Sequence, residues 1–328
     1  MNNIAPLPAA DKWTGFMADL CGDTLDAAMK TALLLSVRDE DITGDMLAAT
    51  AGYMLSKALP LKIEGIDVCG TGGDTSKTAV KTFNISTGVA FVMAAAGVSV
   101  VKHGNRGVSS LSGSSDVLAS LKVPLCTTAE DALAQHKAHN LCFVSAPAFH
   151  PSLAVLAPIR RALGRPSFLN LLGPLCNPAR TSKQLMGVYS ARFLPAMAEA
   201  VKALGRTDAM VVHSEDGLDE ISLAAPTDAY VLKNGAITAE RITIEDAGLK
   251  AAPLEKLAGG SSDQNAAIIH AIFSGTQGAG FDCLCINAAA GFLVAGRSAN
   301  LKEGAWLAAE TIKSGLALQK LKNMKQVA

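Results

Sequence analysis

The clearest fold signal in the chain is IDVCGTGGDTSKTAVKTFNISTGVAFVMAAAGVSVVKHG, residues 66–104. IDVCG and VSVVKHG are short apolar runs typical of buried strands, and GVAFVMAAA between them is typical of a buried helix. This order predicts a βαβ unit with parallel strands. No charge occurs from Thr82 to Val101, but polar residues interrupt the run, so a helix followed by a strand is favoured over a membrane span.

The same alternation continues downstream. DVLASL begins a helix, whereas LCFVSAP, LMGVYS, AMVVHS and CLCINAA read as further strands. In YVLKNGAITAERITI, Asn234-Gly235 between two β-rich runs predicts a hairpin. The C-terminal NLKEGAWLAAETIKSGLALQKL predicts a helix pair, or one helix broken near Gly315. The pattern predicts an α/β fold with a mainly parallel central sheet covered by helices.

The N-terminal part differs, because Met29, Ala32, Leu33 and Val37 recur at helical spacing and no convincing strand occurs before residue 60. We therefore predict a small helical domain at 1–65, joined by helices from the middle of the chain. An α/β domain at 66–328 follows it, and the two are hinged.

Composition excludes several function classes. Lys plus Arg and Asp plus Glu both number 29, so the balanced charge argues against a nucleic-acid or membrane-surface partner. The seven cysteines include no CxxC pair, and Cys283 and Cys285 lie in an apolar run without a nearby histidine, which argues against a metal there. Free thiols and an N-terminus without a secretory pattern predict a cytoplasmic protein.

Four polar loops follow predicted strands, and ligands of open α/β sheets bind beyond the carboxyl ends of the strands. GTGGD (70–74) lets backbone N–H groups approach an anion, although it could be only a tight turn. NIST (84–87) begins a helix, where Ser86 or Thr87 could cap the helix or help to bind phosphate.

The third loop, KHGNRGVSSLSGSSD (102–116), combines two cations and five serines, a mixture suited to pyrophosphate. His103 could only orient that loop. The fourth, HSEDGLDEIS (213–222), offers carboxylates for Mg²⁺, unless it is simply a solvated loop, and His213 is interpreted as a packed strand-end residue. In APIRRALG, Arg160 or Arg161 could bind a substrate carboxylate or lie on the surface.

These motifs together resemble the anthranilate phosphoribosyltransferase family. The matching stretches are GTGGD, FNIST, KHGNRGVSS, SGSSD, APAFHPSL, RRALG, LNLLGPLCNPA, QLMGVYS, DGLDEIS and INAAAGFLVAG, in the family's order. The resemblance implies a magnesium-dependent glycosyltransferase of tryptophan biosynthesis. It would move the phosphoribosyl group of phosphoribosyl pyrophosphate (PRPP) to the amine of anthranilate. It also implies a homodimer formed through the helical domain.

The resemblance assigns roles to particular residues. Anthranilate would be bound by Gly70, Asn105 and Arg160. PRPP would be bound by Gly70, Gly73, Asp74, Thr82, Asn84, Ser86, Thr87, Lys102, His103, Gly104, Asn105, Arg106, Gly107, Val108, Ser109, Ser110 and Ser114. Two magnesium ions would be held by Ser86, Asp219 and Glu220. No catalytic acid, base or nucleophile is assigned, because the aromatic amine is already neutral at pH 7.

The sequence departs from the family at three places. The segment between Asp74 and Asn84 is longer and adds Lys77 and Lys81, RDEDITGD replaces a Lys-Gly-Glu-Thr stretch, and GRPSFLN replaces an Arg-Thr-containing one. Two alternatives stay open: a pyrimidine-nucleoside phosphorylase-like enzyme, and a non-catalytic paralogue that binds nucleic acid. The paired acids of DGLDEIS, the run KHGNR and the balanced charge favour PRPP over both.

Overall fold

A computed structural model describes residues 12–72, 80–105, 112–163 and 167–325. Within these residues a single seven-stranded sheet has the order β3-β2-β1-β4-β5-β6-β7. Its strands are β1 (Ile66–Gly70), β2 (Val100–Gly104), β3 (Leu141–Ser145), β4 (Lys183–Gly187), β5 (Asp208–Ser214), β6 (Thr227–Lys233) and β7 (Ala236–Ile242).

The first five strands in this order pair in parallel, and β6 and β7 continue the sheet in antiparallel fashion. The mainly parallel sheet predicted from the alternating pattern is therefore confirmed. The β6–β7 turn is the expected hairpin, with Asn234 at φ 51° and Gly235 at φ 76°, both in the left-handed region that such two-residue turns require.

Helices surround the sheet. They are α1 (Lys12–Cys21), α2 (Ala27–Ser36), α3 (Gly44–Lys57), α4 (Ile85–Ala95), α5 (Ser114–Ser120), α6 (Ala129–His139), α7 (Ala146–Phe149), α8 (Leu156–Leu163), α9 (Leu169–Leu175), α10 (Leu194–Ala203), α11 (Ser262–Phe273), α12 (Ala279–Ala295), α13 (Leu301–Lys313) and α14 (Leu316–Met324). The C-terminal segment is the predicted helix pair, with Gly315 left-handed at φ 81° between α13 and α14.

The interpretation of CLCINAA as a strand is wrong, because these residues lie within α12. Twelve of the seventeen residues of this helix are buried, since it packs against α4, α13 and the sheet. A helix covered on nearly every side has no polar face, so its sequence lacks the 3.6-residue periodicity that separates a helix from a buried strand. Length still separates the two, because the segment GFDCLCINAAAGFLVA is longer than an ordinary strand.

The N-terminal helices pack directly on one face of the sheet. Met46 and Leu47 of α3 share an apolar cluster with Leu171 of α9, Met186 of β4 and Val211 of β5. Helix α9, from the middle of the chain, therefore packs in the same cluster as α3. Among the described residues, no helix combines the length and apolar character that crossing a bilayer requires.

The strand order places a topological switch point between β1 and β4. From β1 the chain proceeds through β2 to β3 on one side, and from β4 it proceeds to β5 on the other. Loops leaving β1 and β4 therefore diverge and open a crevice at the carboxyl edge of the sheet. Thr71 holds the two loops together there, because its Oγ1 accepts a hydrogen bond from Tyr189 N at 3.0 Å.

Candidate active site

Lys102 of β2 joins strand β1 to the predicted loop that begins α4. Its side chain is 3% exposed, and Nζ donates to Val68 O of β1 at 2.5 Å and to Ser86 Oγ of α4 at 3.0 Å. These two acceptors use two of the three ammonium protons, which leaves one for a ligand. The Lys102 ammonium therefore lies between β1 and the beginning of α4.

The N-terminus of α4 is not capped by a side chain. Asn84 occupies the N-cap position without a capping hydrogen bond, and Ser86 Oγ instead accepts from Lys102. Thr87 Oγ1 is buried and has no hydrogen-bond partner among the described residues. The alternative that Ser86 or Thr87 merely caps the helix is therefore wrong, and the positive end of the helix dipole lies beside the lysine.

Asp219 follows β5 and is 7% exposed. Its Oδ2 accepts a hydrogen bond from Gly72 N at 2.9 Å, which ties the acidic loop to the glycine-rich loop after β1. Burial raises the pKa of Asp219, while the Gly72 N–H and the charge of Lys102 oppose this shift. A bound cation would favour the charged form of such a carboxylate.

Gly70 and Gly187, at the ends of β1 and β4, allow Asp219 to approach the sheet. A Cβ built at Gly70 would overlap Asp219 Oδ2, and one at Gly187 would overlap the backbone carbonyl of Asp219 and lie 3.2 Å from its Cα. Real Cβ atoms essentially never come within 3.0 Å of such atoms. Glycine is therefore required at Gly187 by the backbone of the acidic loop, whereas at Gly70 a side chain would displace the Asp219 carboxylate.

Asn84 connects the NIST segment to the serine-rich loop. Its Nδ2 donates to Ser112 O at 3.2 Å, and its Oδ1 accepts from Asn265 Nδ2 of α11 at 2.9 Å. Thr82 lies two residues before it in an isolated antiparallel bridge to Ala258. Chain segments far apart in sequence thus hold the residues that precede α4.

Gly104, the last residue of β2, and Asn105 after it lie against the first turn of α5. Ser114 Oγ donates to Asn105 O at 3.2 Å, and Ser115 N donates to the same carbonyl at 3.2 Å. A Cβ at Gly104 would overlap Ser114 Oγ. The structure therefore brings Gly104, Asn105 and Ser114 together, as the resemblance implied.

His103 is buried beneath the loop, and its ring packs against that of His150 with the centroids 5.3 Å apart. Burial, together with the neighbouring His150, lowers the pKa of His103 to about 3. Its backbone N donates to Asp67 Oδ1 at 3.3 Å. A neutral, enclosed imidazole suits a structural part rather than proton transfer, in line with the alternative that it orients the loop.

The remaining predicted residues are less closely joined to this cluster. Glu220 is half-buried beside Asp219. Burial of the Cys283 thiol in α12 raises its pKa, and the charge of Glu220 raises it further. Arg160 of α8 is half-buried, and burial lowers its pKa. His213 is buried at the end of β5 with Nδ1 2.7 Å from Val188 O, as its interpretation as a packed residue anticipated.

Part of the predicted site lies outside the described residues. These positions are Gly73, Asp74, Arg106, Gly107, Val108, Ser109 and Ser110, together with Lys77 of the longer segment. Their assignment stays a prediction.

Asn287 was not predicted as part of the site, although it positions the acidic loop. It is 1% exposed in α12, its Oδ1 accepts from Ile221 N at 2.9 Å, and its Nδ2 donates to Ile221 O at 2.9 Å. The amide thereby pairs with both backbone groups of the residue after Glu220. The sequence feature that could have pointed to Asn287 is its place as a polar residue within the apolar run CLCINAAAGF.

The donor set suits Mg²⁺ better than a metal that needs a complete protein cage. Among the described residues, no group of three or more His, Cys, Asp or Glu could hold a metal ion. Asp219, Glu220 and Ser86 offer only oxygen ligands, and Asp219 is a desolvated carboxylate. Mg²⁺ prefers one or two carboxylates with the rest of its shell from water and substrate phosphate, so these residues fit it.

Comparison with known proteins first defines the class. Residues 63–318 match the family described as "Glycosyl transferase family, a/b domain". That match covers the whole sheet and all four loops, and it identifies an enzyme of the glycosyltransferase class.

Individual relatives narrow the class. An anthranilate phosphoribosyltransferase of Parvibaculum lavamentivorans is 41% identical over 96% of this chain and 92% of its own. The crystal structure of the Thermus thermophilus enzyme of the same name superposes with a TM-score of 0.86 at 37% identity, over 95% of this chain and 93% of that one. The chain belongs to the anthranilate phosphoribosyltransferase family.

Two Saccharomyces cerevisiae structures show what relatives bind. An anthranilate phosphoribosyltransferase in complex with PRPP and Mg has a TM-score of 0.83 at 26% identity, covering 95% of this chain and 90% of that one. Another, in complex with 4-fluoroanthranilate, has a TM-score of 0.81 at 25% identity with the same coverage.

Proposed function

We propose that the carboxyl edge of this sheet transfers the phosphoribosyl group of PRPP to the amine of anthranilate. The products are N-(5-phosphoribosyl)anthranilate and pyrophosphate, the reaction depends on Mg²⁺, and it serves tryptophan biosynthesis. The observation that carries the proposal is the placement of Lys102 Nζ between β1 and the uncapped N-terminus of α4. Relatives over nearly the whole chain, one of them with PRPP and Mg, support it.

The leaving pyrophosphate is bound by groups that are already in place. Lys102 directs its remaining proton at the developing negative charge, and the start of α4 adds the positive end of its dipole and the hydroxyl of Thr87. Preorganised donors of this kind stabilise a transition state without rearranging as the charge develops. The assignment extends to Thr82, Asn84, Ser86, Gly104, Asn105 and Ser114, and to residues 106–110.

Asp219, Glu220 and Ser86 would hold the magnesium, with two ions per subunit. When bound, Mg²⁺ would neutralise charge on the departing diphosphate. The protein's own contribution is to hold the Asp219 carboxylate through Gly72 N and to leave room for it at Gly70 and Gly187.

The acceptor lies beside the same edge. Gly70 and Asn105 would contact anthranilate, and the Arg160 guanidinium would bind its carboxylate in a bidentate manner. Alignment of the neutral amine with the sugar carbon then supplies much of the rate enhancement. No side chain needs to act as a strong base.

The proposal includes a homodimer formed through the helices of residues 1–65, as the resemblance implies, with 66–328 as the α/β domain. It also includes a cytoplasmic location. All seven cysteines are free thiols and six of them are buried, a state that a reducing compartment preserves.

The decisive experiment replaces the proposed metal carboxylates without changing their shape. Asp219→Asn with Glu220→Gln should reduce the Mg²⁺-dependent rate of anthranilate consumption, followed by fluorescence, by several orders of magnitude, because a metal supplies several kcal/mol. Glu240→Gln with Glu255→Gln removes two exposed acids elsewhere and should leave turnover unchanged. Unaltered turnover in the first double variant would refute the metal assignment.

A separate measurement tests the acceptor. Arg160→Ala should raise the KM for anthranilate while calorimetric binding of PRPP persists, because its guanidinium is assigned to the acceptor carboxylate. Loss of PRPP binding with an unchanged anthranilate KM would contradict this. Turnover of thymidine and phosphate, instead of PRPP and anthranilate, would favour the phosphorylase alternative.

A further inference from the structure

A second cleft, which we call the amino-edge cleft, opens at the opposite end of the strands from the proposed active site. It encloses about 680 Å³ and lies where β1, β2 and β4 begin. Lys62, Gly65, Gly97, Val98, Leu133 and Arg297 are among the residues that line it. This volume is within the range of small-molecule sites. Five-residue strands separate it from the carboxyl edge by roughly 13 Å.

The cleft carries an excess of positive charge in a chain whose formal net charge is zero. Lys62, Lys183 and Arg297 line it, against the single carboxylate of Glu64. None of the three cations takes part in an ion pair found among residues 12–72, 80–105, 112–163 and 167–325. Like charges gathered in a concave surface raise the local concentration of anions.

Helix capping accounts for only part of this charge. Lys183 Nζ donates to Ala295 O at 2.8 Å, so this lysine satisfies a carbonyl at the end of α12. Arg297 lies two residues past that end, where a cation also interacts favourably with the helix dipole. Lys62 belongs to the extended segment before β1 and has no helix end to complement.

The floor and one wall of the cleft are shaped for a compact ligand with an apolar part. Gly65 and Gly97 contribute no side chains, and Leu133, 49% exposed, lies with Val98 on the apolar side. Ser99 Oγ donates to Glu64 O at 2.5 Å, so it accepts from His136 Nε2 at 2.7 Å. These bonds fix the wall without using the cations.

We propose that the amino-edge cleft binds a small molecule that carries a phosphate or carboxylate beside an apolar group. Lys62 and Arg297 bind the anionic group, and Leu133 and Val98 contact the apolar one. The site is distinct from the carboxyl edge, so it does not depend on the proposed catalytic function.

Two probes test the site: inorganic phosphate, which is an anion alone, and phenyl phosphate, which adds an apolar ring. In full-length protein labelled with ¹⁵N-glycine, the amides of Gly65 and Gly97 report the cleft and Gly104 reports the carboxyl edge. Phenyl phosphate should shift the cleft amides, and it should do so at lower concentration than phosphate. Removing both cations, with Lys62→Gln and Arg297→Gln, should weaken this apparent affinity roughly tenfold, or about 1.4 kcal/mol.

Lys183 is left intact because it also caps α12, and Lys233→Gln removes an exposed cation outside the cleft as the matched control. The shift of Gly104 should be the same in all three proteins. Cleft amides that do not move with either probe would overturn the proposal. So would equal shifts in the wild type and the double variant, or equal affinity for the two probes.

Discussion

Gly187→Ala tests whether the end of β4 positions the acidic loop. The added Cβ would overlap the backbone carbonyl of Asp219 and lie 3.2 Å from Asp219 Cα. A backbone atom cannot rotate away as a side-chain tip can, so the whole loop must move. Because the Asp219 carboxylate is attached to that backbone, its bond to Gly72 N and its proposed place at the metal must move with it.

The size of the effect follows from this geometry. Insertion of a methyl group into packed structure costs about 1–3 kcal/mol, and contact with backbone puts this site at the upper end. A displacement of about 1 Å at a catalytic site can lower the rate roughly 100-fold, equivalent to about 2.7 kcal/mol of transition-state stabilisation. We therefore expect Gly187→Ala to lower both stability and kcat/KM.

The assay is steady-state turnover of anthranilate and PRPP across a Mg²⁺ titration, with thermal unfolding of the same samples. Gly15→Ala is the matched control, because Gly15 lies in α1 with open space around its Cβ position, and it should leave activity unchanged. Gly70→Ala is the second variant, because it meets only the carboxylate tip of Asp219. It should raise the Mg²⁺ requirement with less loss of stability. If Gly187→Ala kept the wild-type kcat/KM and stability, the end of β4 would not position the acidic loop.

Three further perturbations test other parts of the site. Asn287→Leu removes the side-chain partner of both backbone groups of Ile221, so the free energy of unfolding should fall by about 3 kcal/mol. The Mg²⁺ concentration needed for activity should also rise. If neither quantity changed, Asn287 would have no positioning role. Lys102→Met should lower kcat/KM roughly 100-fold or more, and a loss below tenfold would remove it from transition-state binding. The pKa of His103 is about 3 in the folded protein and about 6.5 unfolded, so acidification below pH 6.5 protonates the unfolded chain first. Wild type should lose up to about 1.4 kcal/mol per pH unit more than His103→Gln in denaturation at pH 6 and pH 5, and parallel losses would contradict this.

Sequence patterns predicted the elements whose signals are local. The βαβ unit of residues 66–104, the Asn234-Gly235 hairpin and the break at Gly315 each depend on residues close together in the chain. α12 was mistaken for a strand because burial on nearly every side removes the periodicity by which a helix is recognised.

The sequence likewise predicted one part of the candidate site and missed another. The strand-end rule predicts that the loops after β1, β2 and β5 meet, and the bond between Gly72 N and Asp219 Oδ2 joins the loops after β1 and β5. The partners of Asn84 and Ile221 could not be predicted, because Asn265 is 181 residues away from the first and Asn287 is 66 residues away from the second. Side-chain pairing over such separations has no local sequence signal.

The polar residues below Lys102 explain how a lysine can be held in the middle of the sheet. Asp67 is fully buried in β1, and burial raises its pKa, while the charges of Lys102 and Arg206 and the N–H of His103 act in the opposite direction. Gln184 of β4 donates to the same carboxyl group at 3.5 Å. A buried carboxylate between two buried cations is weak evidence for stability, since desolvation offsets most of the attraction. Its effect here is on position: Asp67 lies close enough to interact with Lys102, whose bonds to Val68 O and Ser86 Oγ direct the ammonium group at the switch point before any substrate binds. Electrostatic catalysis requires that arrangement, because a donor that had to be desolvated and turned during the reaction would lose much of its advantage over water.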